Sequence, residues 1–168
     1  MPIQRLNHAV LYVRDVAKSV AFYTEALGFR VVMEVPQRAA FLQAADSTND
    51  HDLGLFAIGE RAGASTAGRS TVGLYHLAWE VDTLAELQRI RDVLTENGAL
   101  VGASDHGSTK ALYAHDPDGI EFEVSWLVPA ALLDPSEKIS TLPLHLEREI
   151  ERYGADTRGG VGVSVPTA

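Results

Sequence analysis

Apolar residues along this chain alternate with two periods, and the order of the two periods repeats. An apolar run at 6–13 is followed by Val16, Val20, Tyr23 and Leu27 at spacings of three and four, then by Gly28. A second run at 74–81 is followed by Leu84, Leu87, Ile90 and Leu94 at the same spacings, then by Asn97 and Gly98. Short runs predict strands, and three-four spacing predicts the buried stripe of a helix. Asp15 and Thr83 stand where N-caps belong, and the glycines stand where helices end. Three further strand-like runs follow each helix, at 30–35, 39–44 and 52–58 and at 99–104, 109–115 and 120–127. Each half is thus β-α-β-β-β, and the chain is an internal repeat.

This pattern predicts an α+β fold in which two βαβββ modules form a curved, barrel-like mixed sheet with helices outside. The expected domain spans residues 1–128, with module one at 5–58, a linker at 59–72 and module two at 73–128. The stretch 59–70 is rich in Gly, Ala, Ser and Thr, as exposed connections are. Residues 129–168 form a tail with no counterpart in module one. A helix is expected over 142–153, packing on the body or on a partner, and fraying over 159–168.

Aligning the two copies superimposes His8 on His76, each third in its run. Strand alternation gives His8 the face of Leu6, Val10 and Tyr12, and His76 the face of Leu74, Ala78 and Glu80. A lone histidine in an apolar strand is ordinarily a packed core or edge residue. Two at one position of a repeat suggest a shared site instead. The strand at 120–127 adds Glu121 and Glu123 on one face, with Ile120, Phe122 and Val124 on the other. Burying a carboxylate is costly unless it meets a cation or several donors. Alternation does not choose between Glu121 and Glu123.

Composition narrows the chemistry. The 168 residues contain no cysteine, so a metal would be held by nitrogen and oxygen, and thiolate sites and disulfides are excluded. A net charge of −9 disfavours nucleic acid and anionic membranes as partners. No apolar run is long enough to span a bilayer and the start lacks a signal pattern, so a cytoplasmic location is expected.

The repeat, the two histidines and Asp116-Pro117-Asp118-Gly119-Ile120-Glu121-Phe122-Glu123 resemble the vicinal oxygen chelate superfamily over residues 5–128. That superfamily includes glyoxalase I, bleomycin-resistance proteins, methylmalonyl-CoA epimerase and type I extradiol dioxygenases. The resemblance places metal ligands at His8, His76 and Glu123. Glyoxalase-like and epimerase-like members add an acidic ligand on the last strand of module one; here that strand has only Asp52, at its start. Three ligands leave coordination sites for a diol and dioxygen.

The segment from His106 through Tyr113 to Glu123 is similar to the extradiol dioxygenase signature, although Asp105 departs from it. His51 resembles the acid–base histidine of that branch, and His106 and Tyr113 its orienting and stabilising groups. The resemblance therefore implies an extradiol dioxygenase using Fe(II), or Mn(II), to cleave a catechol-type diol with O2. The alternatives are a glyoxalase-like lyase or isomerase with Zn(II), Ni(II) or Co(II), and a non-catalytic bleomycin-resistance-like binding protein. A homo-oligomer, as a dimer, is expected. His115 is expected off the ligand face, structural or exposed, and His145 without a role.

Overall fold

A computed structural model describes residues 2, 3, 5–68, 70–134, 140–160, 163 and 164. Contacts divide the chain into two compact units, residues 1–66 with 116–119, and residues 67–115 with 120–168.

In the first unit, β1 (Ala9–Val13), α1 (Val16–Leu27), β2 (Arg30–Val35), β3 (Ala39–Gln43) and β4 (Leu53–Ala57) follow the expected order. The sheet runs β1-β4-β3-β2; β1 lies parallel to β4, and the other neighbours are antiparallel. Asp15 caps α1 by accepting hydrogen bonds from the Ala17 and Lys18 amides, and Gly28 ends it with φ 72°, a conformation that glycine adopts without strain. The face of α1 that is fully buried is Val16, Ser19, Tyr23 and Ala26, whereas Val20 and Leu27 are only half-buried. The expected stripe was thus rotated by one position. Small side chains at Ser19 and Ala26 occupy the middle of the buried face, which a search for large apolar residues overlooks.

Two acids of the Asp116–Gly119 turn are tied into this unit. Asp116 is buried and accepts from the Tyr23 hydroxyl at 3.1 Å and from the Asp118 amide at 2.9 Å. Asp118 accepts from the Arg14 guanidinium at 2.6 Å and from the Arg14 amide at 3.0 Å.

The second unit repeats the order with β5 (Leu77–Glu80), α2 (Leu84–Glu96), β6 (Leu100–Asp105), β7 (Thr109–His115) and β8 (Glu121–Leu127). Here Leu84, Leu87, Ile90 and Leu94 are all buried, as the spacing predicts. Thr83 caps α2 through its hydroxyl and the Glu86 amide. The sheet runs β5-β8-β7-β6, with β5 parallel to β8 and a short fifth strand, β9 (Leu142–Pro143), on the β6 edge. The α+β class and both βαβββ modules are therefore present, as two mixed sheets of four and five strands that are not closed into a barrel.

Residues 142–153 depart from expectation at one end. The helix α3 covers Leu146–Tyr153, while Leu142–Pro143 forms β9, paired antiparallel with β6. Proline suits an edge strand because it has no amide hydrogen to donate. Fraying from 159 is also overturned at its start. The Gly159 amide donates to the Asp82 carbonyl, and Gly159 packs so tightly on Trp126 and the Leu127 carbonyl that a Cβ would collide with them. Residues 161, 162 and 165–168 lie outside the described residues.

Burial, with Asp116 and Asp118 alongside, holds the Tyr23 hydroxyl well above its ordinary value. From pH ~10 upward the unfolded chain therefore loses a proton that the folded chain keeps, and stability falls by up to about 1.4 kcal/mol per pH unit. Tyr23→Phe should lose about 1 kcal/mol at neutral pH and remove this alkaline slope. Urea midpoints of both proteins on either side of pH ~10 check it.

Candidate metal and acid–base site

His8 and His76 immediately precede β1 and β5 rather than lying within them, so the strands begin three residues later than the apolar runs suggest. The two positions remain equivalent in the repeat. Each ring leaves the chain where the backbone enters a parallel strand pair.

Within the first unit, the rings of His8 and His51 lie 4.4 Å apart, and His51 meets Phe41 edge-on at 5.1 Å. A small polar network sets this approach. The Asn49 amide group donates to the Asn7 carbonyl at 2.7 Å, beside His8, and to Asp52 Oδ1 at 2.7 Å, beside His51. Asp52 also accepts from the Ala44 amide and the Ser47 hydroxyl, so both its oxygens are engaged. It folds the loop before β4, and β4 itself, Leu-Gly-Leu-Phe-Ala, has no acid.

Within the second unit, β8 buries Phe122, Val124 and Trp126 and presents Glu121 and Glu123 on its other face. His76 Nε2 lies 3.4 Å from Glu123 Oε2, and His76 Nδ1 lies 3.9 Å from Glu121 Oε1. Tyr113 sits directly opposite Glu123 in the β7–β8 register. Burial first, then the Glu123 charge and its hydrogen bond, push the Tyr113 hydroxyl up to about 12. His106, in the tight β6–β7 turn, completes a string with Nε2 3.0 Å from the Tyr113 hydroxyl. His115 pairs with Glu121 across the same register, so it shares the Tyr113 face and the expected opposite parity is corrected. It is exposed, as expected. His145 is exposed as well and directly precedes α3.

Among the described residues, no three His, Asp or Glu side chains are grouped closely enough to hold a metal ion. The His76–Glu123 pair nevertheless fits two donors on one ion. Nitrogen and oxygen ligands at about 2.1 Å from a first-row metal stand roughly 3 Å apart when adjacent. His76 Nδ1 is buried without a hydrogen-bond partner, and the nearby Glu121 carboxylate is placed to accept from it once the ring is oriented by a metal.

Three further residues were missed by sequence reasoning. Tyr75 lies against His76 with ring centroids 4.6 Å apart and the planes tilted by 49°. Lys110, whose side chain is wholly inaccessible, lies 2.6 Å from Asp105 and 3.0 Å from Glu149. Ser140 accepts from His106 Nδ1 at 2.9 Å. Only Lys110 left a signal, since alternation places it with Leu112 and Ala114 on the buried face of β7.

Residues 5–124 match the model of the Glyoxalase/Bleomycin resistance protein/Dioxygenase superfamily. The chain belongs to that superfamily. It is 32% identical over 120 residues to the catechol-2,3-dioxygenase of Bacillus subtilis (strain 168), covering 71% of this chain but 40% of that enzyme. It is 30% identical over 127 residues to the lactoylglutathione lyase of Salmonella typhimurium, covering 71% of this chain and 90% of the lyase. A crystal structure of a glyoxylase/bleomycin resistance protein/dioxygenase domain from Frankia sp. EAN1pec shares the fold, with TM-score 0.61, 21% identity, and coverage of 77% of this chain and 96% of that one. No helix among the described residues is long and apolar enough to cross a membrane.

Lys110→Met should cost about 3 kcal/mol or more, because it strands two carboxylates in a site that solvent barely reaches. Denaturant unfolding of Lys110→Met and of the milder Glu149→Gln checks this, the second costing less because it leaves the Lys110–Asp105 pair intact.

Proposed function

We propose that this protein is an extradiol dioxygenase dependent on Fe(II), with Mn(II) as the alternative metal, and that it opens a catechol-type ring beside its vicinal hydroxyls using O2. His8, His76 and Glu123 hold the metal in this reading. Residues 1–128 act as one catalytic domain. The observation that carries the proposal is the string His106–Tyr113–Glu123–His76. A carboxylate and an imidazole fit as adjacent metal donors, and a hydroxyl and a second imidazole stand directly behind them.

When bound, the metal supplies positive charge that acidifies a diol and coordination sites for diol and dioxygen. The residues do the rest. His51, beside the ligand His8, accepts the second diol proton and returns a proton later, since one imidazole nitrogen can accept a proton and give it back. Tyr113, kept protonated by its surroundings, donates a hydrogen bond rather than carrying charge. His106 orients that hydroxyl. The enzyme acts in the cytoplasm as a homodimer in this reading.

A glyoxalase-like lyase or isomerase is the second reading, favoured by the match that spans most of the Salmonella lyase. Against it stands the last strand of the first module, which offers no acid to complete a four-ligand set, and Asp52, which is spent on the loop.

Anaerobic purification, Fe(II) loading and a panel of catechols in an oxygen electrode test the proposal. Dioxygen uptake matched by a yellow ring-opened product supports it; no uptake with any catechol, despite bound iron, sinks it. Turnover without dioxygen on Zn(II), Ni(II) or Co(II) would establish the second reading. His51→Ala should keep its iron and lower kcat by roughly 10²–10⁴-fold.

A further inference from the structure

His106 is engaged at both ring nitrogens. Nδ1 lies 2.9 Å from the Ser140 carbonyl, and Nε2 lies 3.0 Å from the Tyr113 hydroxyl. A carbonyl oxygen only accepts, so the Ser140 contact requires a hydrogen on Nδ1. The Thr141 hydroxyl, at 3.4 Å from the same nitrogen, is a longer and weaker partner that can also accept. In the neutral ring the lone pair then sits on Nε2, where only a donor is satisfied. The Tyr113 hydroxyl is that donor.

Tyr113 has one hydroxyl proton and two acceptors competing for it, His106 Nε2 and Glu123. The tautomer of His106 decides the competition. With hydrogen on Nδ1, the Tyr113 proton turns to His106, and the Glu123 lone pairs are left for a cation. With hydrogen on Nε2, His106 would donate to Tyr113 and drive its proton onto Glu123.

The tail residue that makes this choice is anchored from two directions. β9 pairs with the end of β6, Ser104 opposite Pro143 and Asp105 opposite Leu142. Buried Lys110 joins Asp105 to Glu149 of α3, and Asp105 also accepts from the Gly107 amide at 2.8 Å, which braces the turn carrying His106. Asp105, the one departure from the signature, is thus the residue through which the turn and the tail are joined.

We propose that the segment 140–143 is part of the site, with Ser140 as a positioning residue whose carbonyl fixes His106 in the Nδ1–H tautomer. The consequence for catalysis rests on the dioxygenase reading; the tautomer itself does not. Long-range 1H–15N spectra of the histidine rings test it on the full chain loaded with diamagnetic Zn(II), with His106 assigned by the signals lost in His106→Gln. The neutral His106 ring should show a protonated Nδ1 and a pyridine-like Nε2, and Tyr113→Phe should leave that pattern unchanged. A pattern with hydrogen on Nε2, or an average of the two forms, overturns the proposal. So does a tautomer that switches in Tyr113→Phe, since Tyr113 rather than Ser140 would then be setting it. The spectra need no turnover, so a chain inactive towards every diol is still informative here.

Discussion

A carboxylate held at the wall of a sheet has to be compensated, and Glu123 has only neutral polar neighbours to do it. Its side chain is 13% exposed, with the His76 imidazole on one side and the Tyr113 hydroxyl on the other. Neither partner carries a fixed positive charge, so the arrangement is completed best by a cation. The rest of the second unit supports this point. β8 buries Phe122, Val124 and Trp126 so that Glu121 and Glu123 share the opposite face, and the β7 register brings Tyr113 directly across. The β6–β7 turn and the tail then fix His106 behind it.

The first unit applies the same logic to a pair of imidazoles. His8 and His51 are neighbours because one amide group, that of Asn49, ties the backbone beside the first to the carboxylate beside the second. This makes Asp52 a structural residue, with both oxygens engaged in the loop before β4. Superfamily membership is shared with dioxygenases and lyases alike. The distinction between them rests on these side chains rather than on the fold.

Much of this was legible in the order of residues. The duplicated strand–helix pattern gave both modules, because α2 buries Leu84, Leu87, Ile90 and Leu94 at the spacing written in the chain. α1 was read one position out because Ser19 and Ala26 are buried for their smallness, which periodicity of large apolar residues does not register. Alternation put Glu121 and Glu123 on one face and could not rank them; both prove to lie near His76, on different ring nitrogens. Ser140 could not have been found at all. It acts through its backbone carbonyl, which every residue has, and only the pairing of β9 with β6 brings it to His106.

The proposed function needs His8, His76 and Glu123 as ligands of one metal ion. X-ray absorption of the Fe(II)-loaded chain counts imidazole ligands directly. Two are expected in the unaltered protein, and one in each of His8→Ala and His76→Ala at matched iron content. The same imidazole count in all three proteins would contradict that ligand set.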